Sequence, residues 1–145
     1  MTTNEARAST LARALRAGIE GDRATVTAAC TPDVRVWAPA LSANSLAELL
    51  DALDARDAAF SEIELDITPL DVGGDFACVE WSARMTHSGV LDLGGGSSLD
   101  ATNERVTVHG ATVAEFDGDR ICALRQYWDE FAVLEQLGVM GADEG

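Results

Sequence analysis

The sequence predicts an α+β fold, on three observations. Apolar residues recur about every fourth position up to residue 57 and again near the C-terminal end, as on helices. Between these stretches the period drops to two, as on strands. Helical and strand segments are therefore segregated along the chain rather than alternating, which argues against a parallel α/β arrangement.

Leu11, Leu15 and Ile19 share one face of a first helix over Thr3–Glu20, and Thr2 with Glu5 has capping-box spacing. Gly21-Asp22 breaks it, and a short second helix runs to about Cys30. Thr31-Pro32-Asp33 reads as a turn into a strand at 34–38, ended by Pro39. Ser45 and Glu48 form a second capping box before Leu46, Leu49, Leu50 and Leu53, a third helix ending near Asp57. Ile63, Leu65 and Ile67 alternate with Glu62, Glu64 and Asp66, a half-exposed strand with an acidic outer side. Gly73-Gly74 signals a hairpin into a strand at about 76–90, with Val79, Trp81, Ala83, Met85 and His87 on one face. Gly94-Gly95-Gly96-Ser97-Ser98 reads as a flexible loop before a strand at about 104–116. Asp117-Gly118 turns the chain into a last strand at 120–128, and a helix at about 130–137 stops at Gly138. One strand among three helices, four antiparallel strands and a short helix make up the expected order.

A chain of 145 residues points to a single domain, here 1–141 with 142–145 as a disordered tail. Hydrophobic residues at 47% suffice for a core. No apolar run is long enough to span a bilayer, and the opening Met1-Thr2-Thr3-Asn4-Glu5 does not resemble a signal peptide, so the expected location is cytoplasmic. Cys30, Cys78 and Cys122 are far apart with no CxxC, and read as free buried thiols. The net charge is −15 and every basic residue is arginine. Such a surface repels phosphate backbones and anionic lipid, which excludes nucleic acid and membrane as partners.

Phe116-Asp117-Gly118-Asp119-Arg120-Ile121, then Gln126-Tyr127-Trp128-Asp129-Glu130, then Leu134-Glu135-Gln136-Leu137-Gly138 resemble the closing hairpin and helix of SnoaL-like polyketide cyclases. Thr86-His87-Ser88-Gly89 resembles their His-x-Gly element, and Thr31-Pro32-Asp33-Val34 their entry into the first strand. The resemblance implies a cone-shaped fold shared with nuclear-transport-factor-two-like proteins, ketosteroid isomerases and limonene epoxide hydrolases. In that fold a strongly curved, mostly antiparallel sheet is wrapped by N-terminal helices around one apolar pocket. Two departures stand out. Ala38 precedes Pro39 where ketosteroid isomerases carry their aspartate base, and Arg84-Met85-Thr86 lacks one carboxylate of the epoxide hydrolases.

Arg125, Tyr127 and Asp129 share one parity, so a guanidinium, a phenol and a carboxylate converge if that face is concave. The resemblance implies Asp129 as acid/base for ring closure, with no metal or organic cofactor. Asp129 also stands where a helix N-cap is needed. His87 could reach a carbonyl oxygen from the Trp81 and Met85 face, or be a structural histidine. His109 is the second histidine, without a matching family element around it. Trp37, Trp81 and Met85 are expected against ligand, with ordinary core packing the alternative, and Arg84 would orient a water in the epoxide-opening reading. Neither HExxH nor HxH occurs, and the glycine run has no following lysine, so no metal or phosphate site is expected. The expected function is a SnoaL-like cyclase or isomerase acting on an apolar polyketide-type carbonyl compound, as a homodimer. The alternatives are a non-catalytic binding or dimerisation module and epoxide opening.

Overall fold

The computed structural model describes residues 3–39 and 41–139. Helices α1 (Thr3–Glu20) and α2 (Arg23–Ala29) lead into β1 (Cys30–Ala38) and the short β2 (Leu41–Ala43). α3 (Leu46–Ala59), β3 (Phe60–Leu70) and β4 (Phe76–His87) follow. A small hairpin of β5 (Leu91–Gly94) and β6 (Ser97–Leu99) precedes β7 (Arg105–Asp117), β8 (Arg120–Trp128) and α4 (Glu130–Gln136). The main sheet has the order β2-β1-β8-β7-β4-β3 and is antiparallel except where β1 runs parallel to β8. The α+β expectation holds, with that one parallel pair added.

Periodicity explains the packing. Leu11, Ala14 and Ala17 form the buried stripe of α1 and join Val34, Val79, Ala114, Phe116, Ile121 and Leu124 in one core cluster. A fully buried leucine such as Leu11 is worth roughly 1.5–3 kcal/mol relative to exposure. α1 has no basic residue in its last turn, so other helices complete its negative end: the Gly18 carbonyl accepts from Arg23 at 3.1 Å and Arg56 at 2.8 Å. At α3 the Ser45 hydroxyl accepts the Glu48 N–H, while Glu48 accepts the N–H of Asn44, one residue earlier than a standard capping box.

Several expectations need correction. Thr31-Pro32-Asp33 is not a turn; β1 already starts at Cys30 and slips register against β8 between Cys30 and Arg35. Pro32 has no N–H to give a ladder, and the slip is where that loss is tolerated. The glycine run is a hairpin turn rather than a loop, with Gly94, Gly95 and Gly96 all at positive φ, open to glycine without strain. Thr2 and the tail at 142–145 lie outside the described residues.

The correction with most consequence is in β8. Glu115 pairs with Ala123 and Phe116 with Ile121, so Cys122 is an extra residue in a β-bulge. Ile121 and Leu124 are both buried, and inward parity therefore passes from odd to even numbers. Gln126 and Trp128 point inward; Arg125 and Tyr127 point outward.

Candidate functional site

The bulge divides the sequence candidates between two faces. On the outer side Trp37 is 51% exposed and Tyr127 48%, their rings 5.3 Å apart. Arg125 beside them reaches Glu115 at 3.3 Å, and Arg84 pairs with Glu64 at 2.6 Å. His109 is exposed, alternating with buried Val106 and Val108. Trp37, Arg84, Arg125, Tyr127 and His109 therefore do not converge with Trp81, Met85 and His87, which lie on the helix-facing side. The expected single constellation is not formed.

On the helix-facing side the register sets Trp81, Gly110 and Trp128 in a row across β4, β7 and β8. A Cβ at Gly110 would lie 2.6 Å from the Tyr127 carbonyl oxygen and closer still to the Trp81 ring. The missing side chain lets the indole of Trp81 lie across β7, where its N–H donates to Thr112 Oγ1 at 2.9 Å. Thr112 in turn donates to Gln126 Oε1 at 3.4 Å. Trp128 meets Trp81 edge-on at 6.1 Å and donates its indole N–H to Glu130 at 2.8 Å. Trp81 touches both core clusters, one under α1 and one under α4. Trp81, Met85, Gln126 and Trp128, with Leu46, Leu50 and Leu53 of α3, keep partial exposure on a face otherwise packed by helices. They are the candidate walls of a ligand cleft between α3 and the sheet. Gly110, Thr112, Gln126 and Glu130 escaped the sequence reading because each acquires its role from register or from the bulge.

His87 is fully buried at the end of β4, its ring 5.4 Å from Phe60. Its Nδ1 accepts the backbone N–H of Thr102 at 3.2 Å and lies 3.0 Å from the Thr102 hydroxyl. A backbone N–H only donates, so Nδ1 bears no proton in this geometry and Nε2 carries it, buried and without a partner among the described residues. Backbone bonds from His87 N–H to Glu104 and from Asn103 N–H to the His87 carbonyl complete the attachment. Gly89 passes so close to the Ala58 carbonyl that no Cβ fits. Locally, the His-x-Gly element ties the segment after β6 to the junction of α3 and β3.

Asp129 is exposed and caps α4, its Oδ1 accepting the Ala132 N–H at 3.1 Å. It borders an open groove of about 480 Å³ with Thr107, Val108, His109, Ala132 and Gln136. Gln136 closes the groove floor by exchanging hydrogen bonds with both the N–H and the carbonyl of Thr107, as a strand residue would. Asp129 and His109 are thus the two candidates brought to one groove, outside the Trp81 cleft.

The Arg84 guanidinium holds the Glu64 carboxyl below its usual range, and bonds from Thr25 do the same for Asp22. Burial pushes the Cys30 thiol up to about 11. Among the described residues no group of three or more His, Cys, Asp or Glu side chains could hold a metal ion, and no helix is long and apolar enough to cross a membrane.

Residues 11–124 match the family model described as the SnoaL-like domain. The chain belongs to the SnoaL-like family. A search of curated proteins returns no match. Among solved structures, a protein of Jannaschia sp. CCS1 provisionally named a SnoaL-like polyketide cyclase shares 17% identity at a TM-score of 0.83, covering 99% of this chain and 97% of that one. IdmH of Streptomyces antibioticus, provisionally a polyketide cyclase, shares 20% at 0.75, covering 92% and 99%. An LEH-like epoxide hydrolase of M. tuberculosis shares 18% at 0.71, covering 94% and 92%. At these identities the likeness is one of fold, and it makes this SnoaL-like chain a cone of helices on a curved, mostly antiparallel sheet.

Proposed function

We propose that this SnoaL-like chain takes a flat, largely apolar carbonyl compound of the polyketide type into the cleft between α3 and the sheet. The observation that carries this reading is the pair of part-exposed indoles, Trp81 and Trp128, beside Met85 on a face that helices otherwise pack. Flat apolar ligands gain most from such walls, with a few polar groups fixing their orientation. Tryptophan fluorescence in a Trp37→Phe background, which leaves only the two cleft indoles, tests it. Quenching by planar aromatic ketones with a saturable isotherm supports the reading, and an unchanged spectrum overturns it.

A catalytic reading, cofactor-free acid/base ring closure or isomerisation with Asp129 as the carboxylate, requires the substrate in the groove of Asp129 and His109 and not in the cleft. Its support is family membership and the Tyr127-Trp128-Asp129 strand end. The exposure of Asp129 and its capping bond favour the alternative, a binding module without turnover. Conversion of a polyketide-type precursor by the wild type, lost in Asp129→Asn, would decide for catalysis; equal conversion by both would remove Asp129 from that role. Epoxide opening loses support, since Arg84 is engaged by Glu64 on the outer side and Thr86 replaces the second carboxylate. A homodimer through the outer sheet face belongs to this reading, because Trp37 and Tyr127 stand together there, half exposed.

A further inference from the structure

We infer that Gln126 is the specificity-determining residue of the cleft, presenting its amide N–H2 as a fixed donor that selects ligands bearing a carbonyl oxygen at the ring edge. The inference rests on the cleft reading above and follows from counting protons along one chain of hydrogen bonds. An indole nitrogen only donates, so Trp81 must give its proton to Thr112 Oγ1. The Thr112 hydroxyl has one hydrogen, and its one acceptor among the described residues is Gln126 Oε1 at 3.4 Å. Thr112 is fully buried, so turning the amide over would leave that hydrogen unpaired away from water, an arrangement proteins avoid. The amide is therefore held with Oε1 toward Thr112 and Nε2 away from it, and Nε2 has no partner among the described residues. Gln126 is only partly buried, on the same side of β8 as part-exposed Trp128, and its Nε2 is not among the fully buried unpartnered atoms. The other indole N–H, that of Trp128, is spent on Glu130. Nε2 is thus a side-chain donor without a partner among the described residues, one row from Trp128 on β8 and joined to Trp81 through Thr112, and it is matched by a ligand acceptor.

The test uses fluorenone and fluorene, which share a flat tricyclic frame and differ in the carbonyl. Each is titrated by tryptophan fluorescence against Trp37→Phe and against that protein carrying Gln126→Leu, Gln126→Glu or Thr112→Val. Fluorenone should bind about tenfold more tightly than fluorene, the worth of one well-placed hydrogen bond. Gln126→Leu and Gln126→Glu should abolish that preference while fluorene binding persists, and Thr112→Val, which frees the amide to turn, should weaken it several-fold. Circular dichroism identifies any variant that fails to fold, and the remaining variants then carry the comparison. Equal binding of the two probes to the Trp37→Phe protein, or a preference that survives both Gln126 substitutions, overturns the inference but leaves the cleft reading intact. Binding of neither probe overturns the cleft reading and the inference with it.

Discussion

Gly110 shows how one absent atom can shape a site. A methyl group there would collide with the Trp81 ring and the Tyr127 carbonyl, so Gly110→Ala must push the indole off β7 and break its bond to Thr112. The expected cost is about 3 kcal/mol, at the upper end of overpacking effects, read as a loss of unfolding free energy in urea. Wild-type stability in this variant would mean that Trp81 does not lie across β7. Asp129 gives a milder case: Asp129→Ala should cost about 1 kcal/mol as a lost helix cap, while Asp129→Asn, which can still accept the Ala132 N–H, should cost little. If both variants match the wild type in stability, the cap contributes nothing and the carboxylate is kept for another purpose. Cys30 is buried, and its thiol ionises near 11 instead of the ordinary 9.0. Its folded-state value is raised, so its contribution to stability is complete below about 9 and is lost as pH rises through about 11. A disulfide reagent at neutral pH should accordingly label Cys78 and Cys122 well before Cys30; labelling of Cys30 at the same rate would contradict its burial.

At the scale of elements, the segment after β6 hangs on His87. Replacing His87 with leucine leaves the Thr102 N–H and hydroxyl without their acceptor, at a cost of roughly 1–3 kcal/mol. The amides of Thr102 and Asn103 should then exchange with deuterium faster than those of β7, and unchanged exchange would show that the backbone bonds hold the segment alone. Much of this layer was legible in the sequence. Leu11 and Ala14 fall on one helical face, Ser45 and Glu48 mark a helix start, and Ile63, Leu65 and Ile67 alternate as a strand must. The bulge at Cys122 was not legible, because nothing in Arg120-Ile121-Cys122-Ala123-Leu124 marks which residue is extra. Every side-chain direction beyond it depends on that one residue, which is why Arg125 and Tyr127 were expected on the wrong face and Gln126 was overlooked. The β5–β6 hairpin was hidden for a different reason: a glycine run supports a tight turn and a loose loop equally well.

For the whole molecule, the outer sheet face and the net charge act against each other. Trp37 and Tyr127 offer an apolar centre for a second copy, with Arg125 and Glu115 alongside, yet two chains of −15 repel one another. Added salt screens that repulsion more than it weakens aromatic contact, so sedimentation velocity should show dimer content rising with ionic strength. The double variant Trp37→Asp/Tyr127→Asp should stay monomeric at every salt concentration. A wild type that sediments as a monomer throughout, or a double variant that still dimerises, would contradict a dimer through this face. The fold places helices on one side of the sheet, so ligand and second copy would occupy opposite faces without competing.

Nuclear magnetic resonance of the indole N–H groups tests the ligand cleft most directly, because the chain has three tryptophans and they divide between the two faces. Trp81 and Trp128 stand together on the helix-facing side, and Trp37 on the outer side. Titration of the nitrogen-labelled protein with fluorenone should move the Trp81 and Trp128 signals together along one saturable curve and leave Trp37 in place. Movement of Trp37 alone would locate binding on the outer face, and three stationary signals at saturating probe would mean that the cleft takes no such ligand.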